Sequence, residues 1–231
     1  YKNETADEYL LINTSSTDAN MTLHATVIVN NSHMDLGWDY VYVSAENAWN
    51  ETDGVRRMAY YHAGMAEGWA TAERIWQVWL ANNYSVGDKE ATWIQDHIGF
   101  MKHNIVNKTD DPFWNKVGDL FALMEGIAEG FSASNISDAA HNLTAHDIFL
   151  LNFGNEYGDV QMHCNSSNAK SIMKETLSTR QHCSALVKHL PQDIFFSHDT
   201  WSNYNTMLRQ YKTYAMETIV TMSGFAGMIA S

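Results

Sequence analysis

Between residues 56 and 82 the chain places Met58, Tyr61, Met65, Trp69, Ala72, Trp76 and Trp79 at helical spacing, with Gly64 and Gly68 one turn apart. An apolar side chain every three or four residues specifies an amphipathic helix. Two glycines along one edge of that helix let another element approach its backbone closely. This helix is therefore expected in the core, and Glu67, Glu73 and Arg74 exclude reading the glycine pair as a membrane-dimer motif.

The other elements follow from periodicity and capping. Residues 23–31 and 37–45 are β-branched and aromatic with period-two alternation, Trp38, Tyr40 and Tyr42 sharing a face, and read as paired strands. A second helix is expected over 89–105. A third opens at Asp110, Asp111 and Pro112 and carries Phe113, Val117, Leu120, Phe121, Met124, Ile127 and Phe131 as its apolar face. Thr144 and Asp147 form a capping-box pattern that opens a short helix to Phe153. Residues 161–182 turn polar and read as an exposed linker. Beyond it come strand-like runs at 184–190, 194–197 and 218–222, with 204–214 helical in texture. The chain is α-rich first and β-rich last, with the border near Cys183, an α+β pattern.

Charge narrows the function classes. Lys+Arg number 14 against 27 Asp+Glu, a formal charge of −13 that repels a phosphate backbone, so nucleic acid is not an expected partner. The longest uncharged stretches, such as 219–231, are too short and Gly/Ser-interrupted for a bilayer crossing, so no transmembrane segment is expected.

Ten of the twenty asparagines open an Asn-x-Ser/Thr acceptor: Asn3, Asn13, Asn20, Asn30, Asn50, Asn83, Asn107, Asn135, Asn142 and Asn165. Chance would supply roughly three at this Ser/Thr content, and the excess argues for glycosylation in the secretory pathway. No charged-then-apolar leader opens the chain, so Tyr1 is expected to be a mature terminus. Cys164 and Cys183 allow at most one bridge. Eleven histidines on an acidic chain would add positive charge between pH 7 and 5, which suits a lysosome-like acidic compartment as well as the secreted state.

Few residues offer chemistry. His62, His97, His103, His141, His146, His163, His182, His189 and His198 form no HExxH or Cys/His ligand pair, so neither a metal nor a cofactor is called for. No phosphate-cradling glycine loop or Gly-x-Ser-x-Gly elbow is present. Cys183 lies where the polar linker meets a strand-like run, and a cysteine there is either a small buried hydrophobe or a nucleophile. A hairpin through 184–198 would return His198 towards Cys183, which spacing alone leaves open.

The segment His182-Cys183-Ser184-Ala185-Leu186-Val187-Lys188, then Pro191, Ser197-His198-Asp199-Thr200-Trp201, and Tyr204, Met207-Leu208-Arg209 and Tyr211-Lys212, resembles the phospholipase B-like family of N-terminal-nucleophile hydrolases. Looser matches at Leu36-Gly37-Trp38, Gly64-x-x-Glu67-Gly68, Asp111-Pro112-Phe113-Trp114 and Glu125-Gly126 extend it over nearly the whole chain. The resemblance implies an αββα sandwich and a precursor cut between His182 and Cys183. Residues 1–160 would then be an α-rich N-terminal part with two early strands, 161–182 a processing linker, and 183–231 the start of the nucleophile core. It also implies Cys183 as nucleophile, with its freed α-amine as base, His198 in the pocket, and Asp199, Thr200 and Trp201 shaping the surroundings. The implied substrate is a lipid or lipid-like ester or amide, and the implied partner is the remaining C-terminal part of the same precursor. A catalytically silent glycoprotein of the same fold is the alternative.

Overall fold

The computed structural model describes residues 2–3, 8–11, 25–30, 39–45, 48–49, 52–82, 85–138, 141–154, 156–164, 184–199 and 209–229. They form a mixed α and β arrangement with two sheets, compatible with the α+β expectation.

The larger sheet begins with a short antiparallel pair, β1 (Lys2–Asn3) and β2 (Glu8–Leu11). β2 pairs with β3 (Ala25–Asn30), and β3 with β4 (Asp39–Ala45), as the alternation required. Val27 faces Val43 and Val29 faces Val41 across that ladder. All four are buried, whereas Tyr40 and Tyr42 stay exposed on the opposite face. The hairpin of β5 (Ser184–Leu190) and β6 (Asp193–Asp199) forms the second sheet. β7 (Arg209–Ala215) then returns to lie parallel to β4, and β8 (Ile219–Phe225) closes the row antiparallel to β7. Strands from before the helices and from after Cys183 thus share one sheet.

Residues 204–214, expected to be helical, contain β7 from Arg209 onward, while 204–208 lie outside the described residues. The expectation failed because Gln210 and Lys212, both polar, occupy the buried side of the strand and hide its period of two.

The helices are α1 (Asp53–Ala70), α2 (Ala72–Asn82), α3 (Asp88–Asn107), α4 (Pro112–Ser132), α5 (Ala145–Phe153) and α6 (Tyr157–Cys164). The single helix expected over 56–82 is interrupted at Thr71, whose hydroxyl donates to the Glu67 carbonyl at 2.8 Å. Such back-bonding by threonine competes with the helix ladder and bends it. The caps match expectation. Asp111 accepts from the Phe113 amide at 2.9 Å with Pro112 in the first turn, and Thr144 and Asp147 bond each other's backbone amides at the start of α5.

The core face of α1 differs from the expected stripe. Met58 is 45% and Trp69 37% exposed, while Ala59, Ala63, Gly64, Ala66, Glu67 and Gly68 are buried. On α4, Phe113 and Leu120 are likewise exposed, and Leu123, Met124, Ile127 and Phe131 carry the core. The reason is the α1–α4 contact. A Cβ on Gly64 would overlap the carbonyl oxygen of Leu123, and one on Gly68 that of Ile127. Reciprocally, a Cβ on Gly126 would strike the carbonyl of Tyr61 and one on Gly130 that of Met65. Four glycines bring the two backbones together, so the large side chains of α1 flank the contact instead of filling it.

Gly126→Ala is therefore expected to destabilise the protein by about 1–3 kcal/mol, since backbone rather than a flexible side chain must move. Gly54, with nothing within 4 Å of an added Cβ, is the control. Gly54→Ala should be neutral or stabilising, by up to about 1 kcal/mol of helix propensity. Equal thermal midpoints for the two variants would refute the glycine contact.

Candidate functional site

The register of the β5–β6 hairpin decides which residues meet. Leu190 faces Asp193 at the turn, Ala185 faces His198 and Ser184 faces Asp199. The backbone thus carries His198 back opposite a residue two positions from Cys183 in the chain, and Asp199 opposite its immediate neighbour. His182, Cys183, Thr200 and Trp201 lie outside the described residues, and His198 and Asp199 are described in backbone only. Of the linker expected over 161–182, residues 161–164 form the end of α6, and 165–182 lie outside the described residues. Cys164 is a free thiol, its Sγ 3.9 Å from the Lys89 carbonyl oxygen.

The hairpin is apolar on both faces. Leu186 and Phe195 lie on one and Val187 and Ile194 on the other, and each is more than half exposed. Strands apolar on both sides are the pattern of a pair covered on both faces.

In the larger sheet, β7 is anchored by a buried polar cluster that periodicity could not reveal. Lys212 Nζ donates to Glu67 Oε1 at 2.6 Å and to the Met228 carbonyl at 2.7 Å, and the Tyr214 hydroxyl donates to Glu67 Oε2 at 2.6 Å. The Glu67 and Lys212 side chains are wholly buried. Burial first, then the Glu67 charge and hydrogen bond, hold the Tyr214 hydroxyl well above the usual tyrosine pKa, so it stays a donor. The one available signal was Glu67 itself, a carboxylate on the small-residue face between Gly64 and Gly68.

A second ionic group ties the β7–β8 turn to the helices. Buried Asp119 accepts from Arg56 Nε at 2.8 Å, and Arg56 also reaches Asp53 at 2.8 Å and Glu217 at 3.3 Å. Lys116 joins Glu217 as well. Burial, followed by the charges of Glu217 and Asp119, pushes the Tyr60 hydroxyl up to about 12. Tyr60 borders a mostly apolar cleft of about 220 Å³ with Leu120, Leu123, Met216, Val220 and Met222.

Of the ten glycan acceptors, Asn107, Asn135 and Asn142 have described side chains, and all three are exposed. Asn50, Asn83, Asn13, Asn20 and Asn165 lie outside the described residues, and Asn3 and Asn30 are described in backbone only. Among the described residues, no three His, Cys, Asp or Glu side chains gather to hold a metal, and no helix is long and apolar enough to cross a membrane.

The chain belongs to the phospholipase B family, whose family model, Phospholipase B, matches residues 25–231. It is 28% identical to phospholipase B-like protein B of Dictyostelium discoideum over 225 residues, 87% of this chain and 38% of that protein. Identity to putative phospholipase B-like 1 of Caenorhabditis elegans is 32% over 189 residues, 74% of this chain and 32% of the relative. Phospholipase B-like 1 of Rattus norvegicus is 25% identical over 98% of this chain and 44% of its own length. The chain thus spans less than half the length of these curated relatives.

Proposed function

We propose that this chain is part of a phospholipase B-like hydrolase of a lysosome-like or secretory compartment, which cleaves acyl ester or amide bonds through Cys183 after a cut between His182 and Cys183. The observation that carries the proposal is the hairpin register, which sets His198 opposite Ala185 and Asp199 opposite Ser184, at the end of the hairpin where Cys183 enters. Family membership supplies the reaction class. Once freed, the α-amine of Cys183 is the base: a thiol of pKa ~8.5 beside an amine of pKa ~7.7 passes its proton locally. His198 lines the pocket, and Asp199, Thr200 and Trp201 shape it.

An αββα sandwich is the fold this reading entails. It is supported by a large sheet whose Val27, Val29, Val41 and Val43 pack in one core with α1 and α4 while Tyr40, Tyr42 and Tyr211 stay exposed, and by a hairpin apolar on both faces. The apolar cleft beside Tyr60 has the character that an acyl chain needs. The substrate is accordingly a lipid or lipid-like conjugate, and the rest of the same precursor is the partner that completes the core.

Terminal sequencing and intact mass of the full-length protein, purified from a eukaryotic secretory host, test the cut. A mature chain beginning at Cys183 is expected. A protein that stays uncut at this bond yet hydrolyses acyl esters would end the N-terminal-nucleophile reading, and one both uncut and inactive would favour a silent glycoprotein.

A further inference from the structure

At the turn between α3 and α4 an aromatic patch stands open. Phe100 is 58%, Val106 72% and Phe113 64% exposed. Phe100 and Phe113 meet Trp114 edge-on, with ring centroids 5.8 and 5.1 Å away. Lys108 already sits over the Trp114 ring at 5.5 Å, so the two phenylalanines form the uncovered part. The glycine-built α1–α4 contact does not involve these residues. Open apolar clusters of this kind mark surfaces that something else covers.

The sequon Asn107-Lys108-Thr109 occupies the same turn. Asn107 is the last residue of α3 and is exposed, and it follows Val106 directly. The Thr109 carbonyl accepts from Asn115 Nδ2 at 2.7 Å, and the Lys108 carbonyl accepts from the Asp111 amide at 3.1 Å. The acceptor is therefore held in a fixed turn against α4 rather than on a free tail.

We infer that the covering group is this chain's own N-glycan at Asn107, its first sugars lying over Phe100, Phe113 and the rim of Trp114. In its attachment, catalysed by the secretory glycosyltransferase, the Asn107 amide nitrogen bonds the anomeric carbon of a lipid-linked pyrophosphate sugar. The lipid pyrophosphate leaves and the amide gives up one proton. Sugar rings present C–H faces, slightly positive, that suit the negative faces of aromatic rings, and their hydroxyls keep the outer side wetted. An anionic lipid surface fits less well. The protein carries a formal −13, and Asp110 and Asp111 sit in the same turn.

The inference needs secretory passage but not the Cys183 chemistry, so either can fail alone. The test is radical footprinting with mass-spectrometric readout on the full-length secreted protein, comparing wild type with Asn107→Gln and Thr109→Ala, and with Asn142→Gln as the control for losing a different glycan. Endoglycosidase trimming of the folded wild type gives the same comparison without a variant that must fold. Peptide mapping should find Asn107 occupied. Oxidation of Phe100, Phe113 and Trp114 should rise several-fold in both sequon variants and not in the Asn142 control. The proposal is overturned if other acceptors carry glycans and Asn107 does not. It is also overturned if the rings stay protected without the glycan, meaning that more polypeptide or a second copy covers them. Protection of the rings by phosphatidylserine-containing vesicles in the glycosylated protein would assign the patch to a membrane instead.

Discussion

Cys183→Ala is expected to leave the full-length protein uncut at the His182–Cys183 bond and to lower acyl-ester hydrolysis by at least about four orders of magnitude. Both losses have one cause. In the proposed cut, the Cys183 sulfur would attack the His182 carbonyl and the peptide nitrogen would leave as a free α-amine. Water would then hydrolyse the thioester, giving the His182 carboxylate and the free thiol. In the proposed turnover the thiolate would attack an acyl carbonyl, the alcohol or amine would leave with the proton held by the α-amine, and water would release the acid. Alanine supplies no sulfur for either step. Cys183→Ser should cut slowly, because a hydroxyl is the weaker nucleophile at the same position. His198→Ala should lower turnover far more than the thermal midpoint, since the ladder between β5 and β6 is made of backbone bonds that the substitution leaves in place. Chain cleavage by electrophoresis, thermal midpoint and hydrolysis of a generic acyl ester at acidic pH report the three effects separately. Wild-type-like cleavage and hydrolysis in Cys183→Ala would end the nucleophile assignment.

How much of this was legible in the sequence depends on whether a signal is local. β3 and β4 were readable because their alternation puts valines on the buried side and tyrosines on the open one. The Thr144–Asp147 box was readable because a cap is satisfied within one turn. The phase of α1 was not. Periodicity weights large apolar side chains, whereas the burial of α1 is decided by glycines and alanines that admit α4, a partner about 60 residues away. β7 failed for a related reason. Lys212 reads as a solvent-facing residue until Glu67, 145 positions earlier, is placed against it. At the candidate site, the strand runs 184–190 and 194–197 implied a hairpin, and only the paired backbone set which residues face each other.

The Glu67–Lys212 pair carries the largest stability effect expected in the fold. Lys212→Met should cost about 3–5 kcal/mol at pH 7, because it leaves a carboxylate in a wholly buried position with its cation gone. Methionine approximates the lysine stem in volume, so lost packing contributes little. The Tyr214 hydroxyl, held protonated by burial, continues to donate to Glu67 but supplies no charge. Adding Glu67→Leu should recover part of the loss, since an apolar pair in place of a buried ion pair is often neutral, although Tyr214 and the Met228 carbonyl then lack their partner. Denaturant unfolding of the full-length wild type, single variant and double variant at pH 7 makes the comparison. A loss under about 1 kcal/mol in Lys212→Met would mean that water reaches Glu67 and that α1 and β7 are held together chiefly by their apolar neighbours.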